Sequence, residues 1–322
     1  MNRFPLEVRT SRPEGTDLKC RICGQKAVIK LRQHNLALCE EHFDEFFLKR
    51  VKKAIKEYRL FGQSDKLLIA VSGGKDSLSL WDALVRLGYH VDGLHIDLGI
   101  GEYSIRSRKI TEEFAMEHKF RLIIVEAEDF LEGYTVPKAS QRLRRSPCSL
   151  CGLLKRYVMN RVGVEKGYDV LVTGHNLDDE SATLLGNLLT WQEEYLRRQY
   201  PVLESTHENL LRKVKPLIYL TEREVAAYAV LRSIKYVEEE CPLSRGATSL
   251  EYKSALNQLE VHHPGTKHRF LHTFLQRRPF GSAKSLQLLS CSECGYPTTS
   301  KVCSMCRTKV RLKESSHEIR TS

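Results

Sequence analysis

Long apolar runs are missing from this sequence. Nothing in it approaches the roughly eighteen uninterrupted apolar residues that a membrane-spanning helix needs. The opening residues, Met1 to Glu7, also lack the apolar core of a secretory leader. Neither a transmembrane segment nor export is expected, and the expected compartment is the cytoplasm. Acids are missing from one long stretch: Pro137 to Arg161 holds seven Lys or Arg (138, 142, 144, 145, 155, 156 and 161) and no Asp or Glu. The spacing G-x-x-x-x-G-K-[ST] is absent too, which excludes a Walker A phosphate loop. Charge and cysteine, by contrast, are plentiful. At 41% hydrophobic and 28% charged residues the composition is that of a soluble globular protein. A chain of 322 residues holds a full-sized core with small modules appended. The net charge of +11 favours a polyanionic partner.

Nine of the ten cysteines fall into five C-x-x-[CH] pairs, and without export such pairs read as metal sites rather than disulfides. Cys20, Cys23, Cys39 and His42 make one four-ligand set with the spacing of a closed tetrahedral zinc site. Cys291, Cys294, Cys303 and Cys306 make a second, with only eight residues between its pairs, as in a compact ribbon or knuckle. Cys148, Cys151 and the distant Cys241 are left over. Three thiolates leave a metal cofactor one position free of protein, which suits an iron–sulfur cluster. A reactive dithiol or persulfide pair working without metal is the other reading.

Leu67 to Val71 is a run of five apolar residues, the pattern of a buried strand, and it leads straight into Ser72-Gly73-Gly74-Lys75-Asp76-Ser77. Leu78, Leu80, Leu84 and Leu87 then recur at helical spacing, with Gly88 placed to end the helix. Paired glycines let the backbone turn sharply, so that loop amides and the helix N-terminus form an anion site with Lys75 and two hydroxyls beside it. Strands are expected again at 90–97, 121–126 and 168–173, with helices between them over 105–118 and 151–166. That alternation implies a parallel sheet covered on both faces, with ligands bound beyond the carboxyl ends of its strands. Three segments should converge there: 72–77, 95–97 and 174–179. Asp178, Asp179 and Glu180 open a further helix, as dipole-favoured caps or as holders of Mg²⁺. Phe43 to Tyr58 reads as a helix with Lys49, Arg50, Lys52, Lys53 and Lys56 on one face, a solvated surface or an RNA contact. Thr221 to Glu224 is a capping box, and two more helices are expected over 249–276. The basic stretch after Pro137 is expected to meet RNA phosphates through Arg142, Arg144 and Arg145. The expected division is a flexible arm (1–17), a zinc finger with a linking helix (18–60), a catalytic core with the three-cysteine site (61–245), a helical extension (246–285) and a zinc ribbon with a tail (286–322). Beyond Lys313 the tail is expected to be disordered.

Ser-Gly-Gly-x-Asp-Ser after a strand resembles the pyrophosphate loop of the PP-loop ATPases, which cleave ATP between its α- and β-phosphates. With the three leftover cysteines and the two terminal zinc sets, the chain from about Leu18 to Lys309 resembles the tRNA 2-thiolation enzymes of the TtuA/TtcA type, related to the wobble-uridine enzymes. The resemblance implies an α/β class, a PP-loop (HUP-like) doubly wound parallel sheet with N- and C-terminal zinc-binding modules. It implies a [4Fe-4S] cluster on Cys148, Cys151 and Cys241, catalytic roles for these cysteines with Lys155 and Asp179, and two Zn²⁺. ATP with Mg²⁺ would be lined by Ala70, Val71, Ser72, Gly73, Gly74, Lys75, Asp76, Ser77, His95, Ile96, Lys155 and Gly174. The expected partners are tRNA, a ubiquitin-like sulfur carrier with a C-terminal thiocarboxylate, and a second copy in a homodimer, with no membrane. The expected reaction is adenylation of a uridine C2 carbonyl followed by sulfur transfer, and the two zinc modules point to position 54 of the T-loop. Wobble-uridine thiolation, a PP-loop ligase with a nitrogen nucleophile and a non-catalytic zinc-bearing RNA binder are the alternatives. The arm before Cys20 departs from the family pattern without touching these assignments.

Overall fold

The computed structural model describes residues 18–244, 248–281 and 288–318. The expected flexible arm, 1–17, lies outside them. The chain divides into two units, 1–46 and 47–322.

In the first unit β1 (Ile29–Leu31) pairs antiparallel with β2 (Leu36–Leu38) through a 3-10 turn at Arg32–His34. Asn35 closes that turn with a left-handed backbone, φ 48°, a conformation asparagine tolerates better than most residues. Leu31, Leu38 and Phe43 form its small apolar centre. Helix α1 (Glu40–Glu57) has residues in both units and begins earlier than Phe43. Glu40 and Glu41 lie in its first turn, where acids meet the positive end of the helix dipole.

The second unit is built on a six-stranded sheet ordered β5-β4-β3-β6-β8-β7. Strands β3 (Leu67–Ala70), β4 (Val91–Asp97), β5 (Leu122–Glu126) and β6 (Val170–Val172) are those expected from the sequence, and all pair parallel. β8 (Arg212–Val214) extends the parallel set beside β6, and β7 (Val202–Leu203) folds back antiparallel on it. The chain moves from β3 outward to β4 and β5, then returns to the other side of β3 for β6. That reversal opens a crevice at the carboxyl ends of β3 and β6.

The helices are α2 (Lys75–Arg86), α3 (Gly101–His118), α4 (Val136–Arg142), α5 (Pro147–Glu165), α6 (Leu177–Leu189), α7 (Glu193–Arg198), α8 (Glu222–Leu231), α9 (Thr248–His262), α10 (Thr266–Arg277) and α11 (Ser304–Glu318); β9 (Leu289–Ser290) and β10 (Pro297–Thr298) pair within the C-terminal ribbon. α3 starts before Ile105, α5 starts before Cys151, and the beginning of the acid-free basic stretch forms α4. Proline at the start of α5 has no amide to leave unpaired there, so Cys148 falls inside the first turn.

The tail corrects an expectation. It is helical as far as Glu318 rather than disordered past Lys313. Leu312 is fully buried in one apolar cluster with Leu154, Val158, Cys303 and Cys306, so the last helix is held by the core.

Candidate active site and metal centres

The loop after β3 is braced from below. Gly73 has φ +74°, and a Cβ there would stand 2.8 Å from the carbonyl oxygen of Ser107, so only glycine fits. Ser107 Oγ donates to the Ser72 carbonyl at 2.7 Å, and the Val237 amide donates to the Gly73 carbonyl at 2.9 Å. Ser77 Oγ accepts from the Ser72 amide at 3.2 Å and donates to the Gly74 carbonyl at 3.0 Å. With its carbonyls tied back in this way, the loop can turn amides toward an anion at the start of α2.

The segment after β6 meets this loop backbone to backbone. A Cβ on Gly174 would lie 3.0 Å from the Ser77 amide nitrogen. Asn176 caps α6, accepting from the amides of Asp178 and Asp179, and its Nδ2 donates to Asp76 Oδ1 at 2.9 Å. Asp76 therefore stitches the two loops together. Burial raises its pKa, and Lys75 opposes the rise.

Asp178 and Asp179 part company. Asp178 is buried, paired with Lys267 of α10 and accepting the Glu222 amide at 2.9 Å. Its oxygens are committed, and Glu180 is held by Lys215 at 2.7 Å, so of the three acids that open α6 these two are structural. Asp179 is more open: Oδ2 accepts the Asn176 amide at 3.1 Å, and Oδ1 meets Lys253 Nζ at 2.6 Å. Lys253 also approaches Glu222 at 3.3 Å, and Glu222 holds Lys75 at 2.8 Å. Alternating charges thus run from Asp76 through Lys75, Glu222 and Lys253 to Asp179. Burial opposes the charge on Lys253, yet its two carboxylates hold its pKa above the usual lysine value.

Ser107, Asn176, Glu222 and Lys253 were not found from the sequence. Asn176 and Glu222 lay beside recognised features, a helix start and a capping box. Lys253 is the single Lys or Arg of α9 and carries no motif at all.

His95, in β4, is buried, and its Nδ1 donates to the Val71 carbonyl at 3.0 Å. Burial lowers its pKa, so the ring is neutral and serves to hold the end of β3. Ala70 and Ile96 are partly buried at the ends of the neighbouring strands.

The three leftover cysteines come together. Cys148 and Cys151 occupy the first turns of α5, and Cys148 Sγ donates to the Leu243 carbonyl, beside Cys241, at 3.1 Å. Cys148 is exposed; Cys151 and Cys241 are partly so. Burial raises the Cys151 thiol, and Lys155 pulls it back through charge and a hydrogen bond. Lys155 also reaches His95 electrostatically, so it lies between the cysteines and the nucleotide end of the sheet.

Among the described residues, two four-residue groups have ligand atoms all within 4.8 Å of one another: Cys20, Cys23, Cys39 and His42, and Cys291, Cys294, Cys303 and Cys306. Both have the donor set of a single tetrahedral ion. His42 turns Nδ1 to Cys39 Sγ at 3.1 Å. Burial raises the thiols of Cys20 and Cys291, but backbone N–H groups around each reverse this and bring both pKa values down to about 6. Such thiolates are ready ligands at neutral pH. Metal analysis of purified protein is expected to find about two zinc ions per chain. Cys303 and Cys306 share the apolar cluster of α5. Cys291→Ser is therefore expected to lower the melting temperature as well as tRNA affinity; an unchanged melting temperature would remove the C-terminal ion from the folding argument.

The basic features differ from one another. Arg144 is exposed, Arg145 bonds Ser149 Oγ at 3.0 Å, and Arg142 lies 5.4 Å from the centroid of the Tyr134 ring. In α1, by contrast, burial lowers the pKa of Arg50, and Lys53 lies 4.7 Å from the Tyr219 ring centroid. Part of that helix's basic face is packed against protein rather than open to RNA.

Comparison with known proteins follows the same lines. Residues 19–44 match the family described as the N-terminal LIM domain of the 2-thiouridine synthetase TtuA, and residues 43–245 match the PP-loop domain. A tRNA-5-methyluridine(54) 2-sulfurtransferase of Thermotoga maritima is 48% identical over 92% of this chain and 98% of its own. The Thermus thermophilus protein of the same name is 50% identical over 89% of this chain and 90% of its own. Among solved structures, the U34-tRNA thiolase NcsA of Methanococcus maripaludis, with its [4Fe-4S] cluster, superposes with a TM-score of 0.78 at 26% identity, covering 91% of this chain and 96% of that one.

Proposed function

The chain belongs to the PP-loop family of tRNA-5-methyluridine(54) 2-sulfurtransferases, and from that membership we propose that it replaces O2 of uridine 54 in tRNA with sulfur, cleaving ATP to AMP and pyrophosphate. One observation carries the proposal: the braced loop at 72–77, the Asp179 segment and the three-cysteine pocket all lie at the carboxyl end of one parallel sheet.

A carbonyl oxygen is a poor leaving group, and adenylation makes it a good one. Uracil O2 attacks the α-phosphorus of ATP, the bond to the β-phosphate breaks, and pyrophosphate leaves. The loop amides and the N-terminus of α2 receive the triphosphate, and Lys75 neutralises charge on it. Asp179, the less committed of the two acids, is the residue for Mg²⁺. A sulfur nucleophile then adds at C2, and AMP departs with the former O2. Lys155 is placed to stabilise the negative charge that develops between the two centres.

The residues at 148, 151 and 241 fit a [4Fe-4S] cluster. The donor set is all thiol, and it does not meet the single-ion spacing of the two four-residue groups, as a cube of four irons requires. When bound on three cysteines, such a cluster offers one iron free of protein ligands at which sulfur can be held. The raised Cys151 thiol is poorly suited to act alone as a nucleophile at neutral pH, which supports ligation over a metal-free dithiol.

In this assignment the finger (18–60) and ribbon (286–322) grip tRNA and each hold one zinc ion, the core (61–245) does the chemistry and 246–285 supports it. The sulfur donor is a ubiquitin-like carrier with a C-terminal thiocarboxylate, and the assembly is a cytoplasmic homodimer. No described helix is long and apolar enough to cross a membrane. Nucleoside mass spectrometry of tRNA from a strain lacking the gene, mapped by position, tests the proposal: 2-thiolation should vanish at position 54 and remain at 34. Loss at position 34 instead would assign the enzyme to the wobble uridine.

A further inference from the structure

The face of β8 that looks onto α5 carries an unexpected pair of cations. Leu211 lies against α5: its Cδ1 would stand 2.2 Å from a Cβ on Gly163, and its amide donates to Asn160 Oδ1 at 3.0 Å. Two residues further along the strand, about 6.6 Å, Lys213 points to the same side. α5 leads into a strand parallel to β8 and so runs the opposite way. Four residues back from Asn160, about 6 Å, is Arg156. Lys213 and Arg156 thus face each other across the gap between sheet and helix. The Arg156 guanidinium folds back over Gly152, with Nη1 3.3 Å from where a Cβ would be, beside Cys151.

The charges around this pair leave it uncompensated. Glu180 of α6 is the one acid acting on Lys213, and Lys215 already holds it at 2.7 Å. The remaining influences on Lys213, from Lys215 and Arg156, are repulsive. His175, just past β6, adds no charge: its pKa is lowered, first by the protein crowded round it. The residue is nonetheless exposed to solvent. Burial and the neighbouring cations bring the Lys213 pKa down to about 8. Among the described residues neither Lys213 nor Arg156 has an acidic partner of its own.

Holding two like charges together in a cleft is unfavourable unless an anion joins them. The gap between β8 and α5 opens toward the carboxyl end of the sheet, where α5 begins, and Arg142, Arg144 and Arg145 lie at the end of α4 and in the turn leading into α5. We infer that Lys213 and Arg156 form a subsite for a backbone phosphate of the RNA strand that carries the target uridine, the inner end of a cationic track starting at the turn between α4 and α5. This rests on the tRNA-thiolating role proposed above and adds residues that neither the family motif nor the basic stretch singled out together.

The test is binding of an unmodified tRNA transcript to the intact, metal-loaded protein over a range of salt and pH. Wild-type affinity should fall as pH rises through about 8, because the free Lys213 ammonium loses its proton there. Lys213→Met should weaken binding at pH 7, reduce the log–log salt slope by about one and flatten the alkaline decline. Lys213→Arg should keep the affinity and also lose the decline, since arginine stays charged. Arg156→Met should reduce the slope by a similar amount and keep an alkaline decline, moved to higher pH because its repulsion of Lys213 is gone. Lys213→Met should fold, because its native charge is disfavoured and the folded state gains when it is removed; zinc content and melting temperature check this. If Lys213→Met binds with the wild-type slope and pH profile, the subsite is wrong. If wild type shows the expected profile but never thiolates position 54, the subsite stands and the functional proposal fails.

Discussion

Replacing any one of Cys148, Cys151 or Cys241 with serine is expected to reduce tRNA thiolation by at least about 100-fold, more than the usual cost of losing an outer-sphere partner of a metal. ATP and tRNA affinities should change little, because among the described residues none of the three thiols hydrogen-bonds the loop at 72–77 or the cations at 156 and 213. The reason is assembly. Two thiols come from successive turns at the start of α5 and the third from the segment whose Leu243 carbonyl holds Cys148. Each variant should also lose bound iron and the broad visible absorbance of anaerobically reconstituted protein. A metal-free persulfide route predicts otherwise: iron-depleted protein given a sulfur donor would turn over at the reconstituted rate. That result would make the three cysteines redox thiols and remove the cluster from the proposal.

How legible these features were depended on whether the sequence carried a local pattern. Apolar runs gave β3 and β6, which are buried in the sheet, and β5, Leu-Ile-Ile-Val at its edge, whereas β4, with Asp92, His95 and Asp97, was legible by its place in the strand–helix alternation. β7 and β8 escaped because two or three residues hold no period, and β8 reads Arg-Lys-Val. Metal sets were legible because a metal fixes spacing within each pair. The Asp178–Asp179 division was not: adjacent acids at a helix start look alike until Lys267 arrives from α10 to claim one of them. Lys253 was invisible for the same reason, its role being set by where α9 docks rather than by its neighbours in sequence. The tail was misread because Leu312, a single buried leucine among charged residues, is too weak a signal of packing.

That division yields the second large effect, a pair of adjacent substitutions with opposite consequences. Asp178→Asn removes the negative partner of a lysine whose side chain, like the aspartate's, is only 6% exposed. Breaking a buried ion pair from one side costs about 3–5 kcal/mol, so this variant should unfold well below the wild-type temperature. Its catalysis, while folded, should be the lesser loss. Asp179→Asn should behave the other way. The amide can still accept the Asn176 N–H, so the cap costs at most about 1 kcal/mol. What is lost is the carboxylate charge near Asp76 and Lys253, where the proposed mechanism needs a ligand for Mg²⁺. AMP formation should fall by about 100- to 1,000-fold, the usual cost of removing one electrostatic contributor to a transition state. Thermal unfolding and nucleotide chromatography, run on both variants, read the two effects separately. An Asp178→Asn protein that melts at the wild-type temperature but makes no AMP would exchange the roles of the two acids. ADP and phosphate as wild-type products would go further, because cleavage between the β- and γ-phosphates is not the reaction for which the loop at 72–77 is proposed.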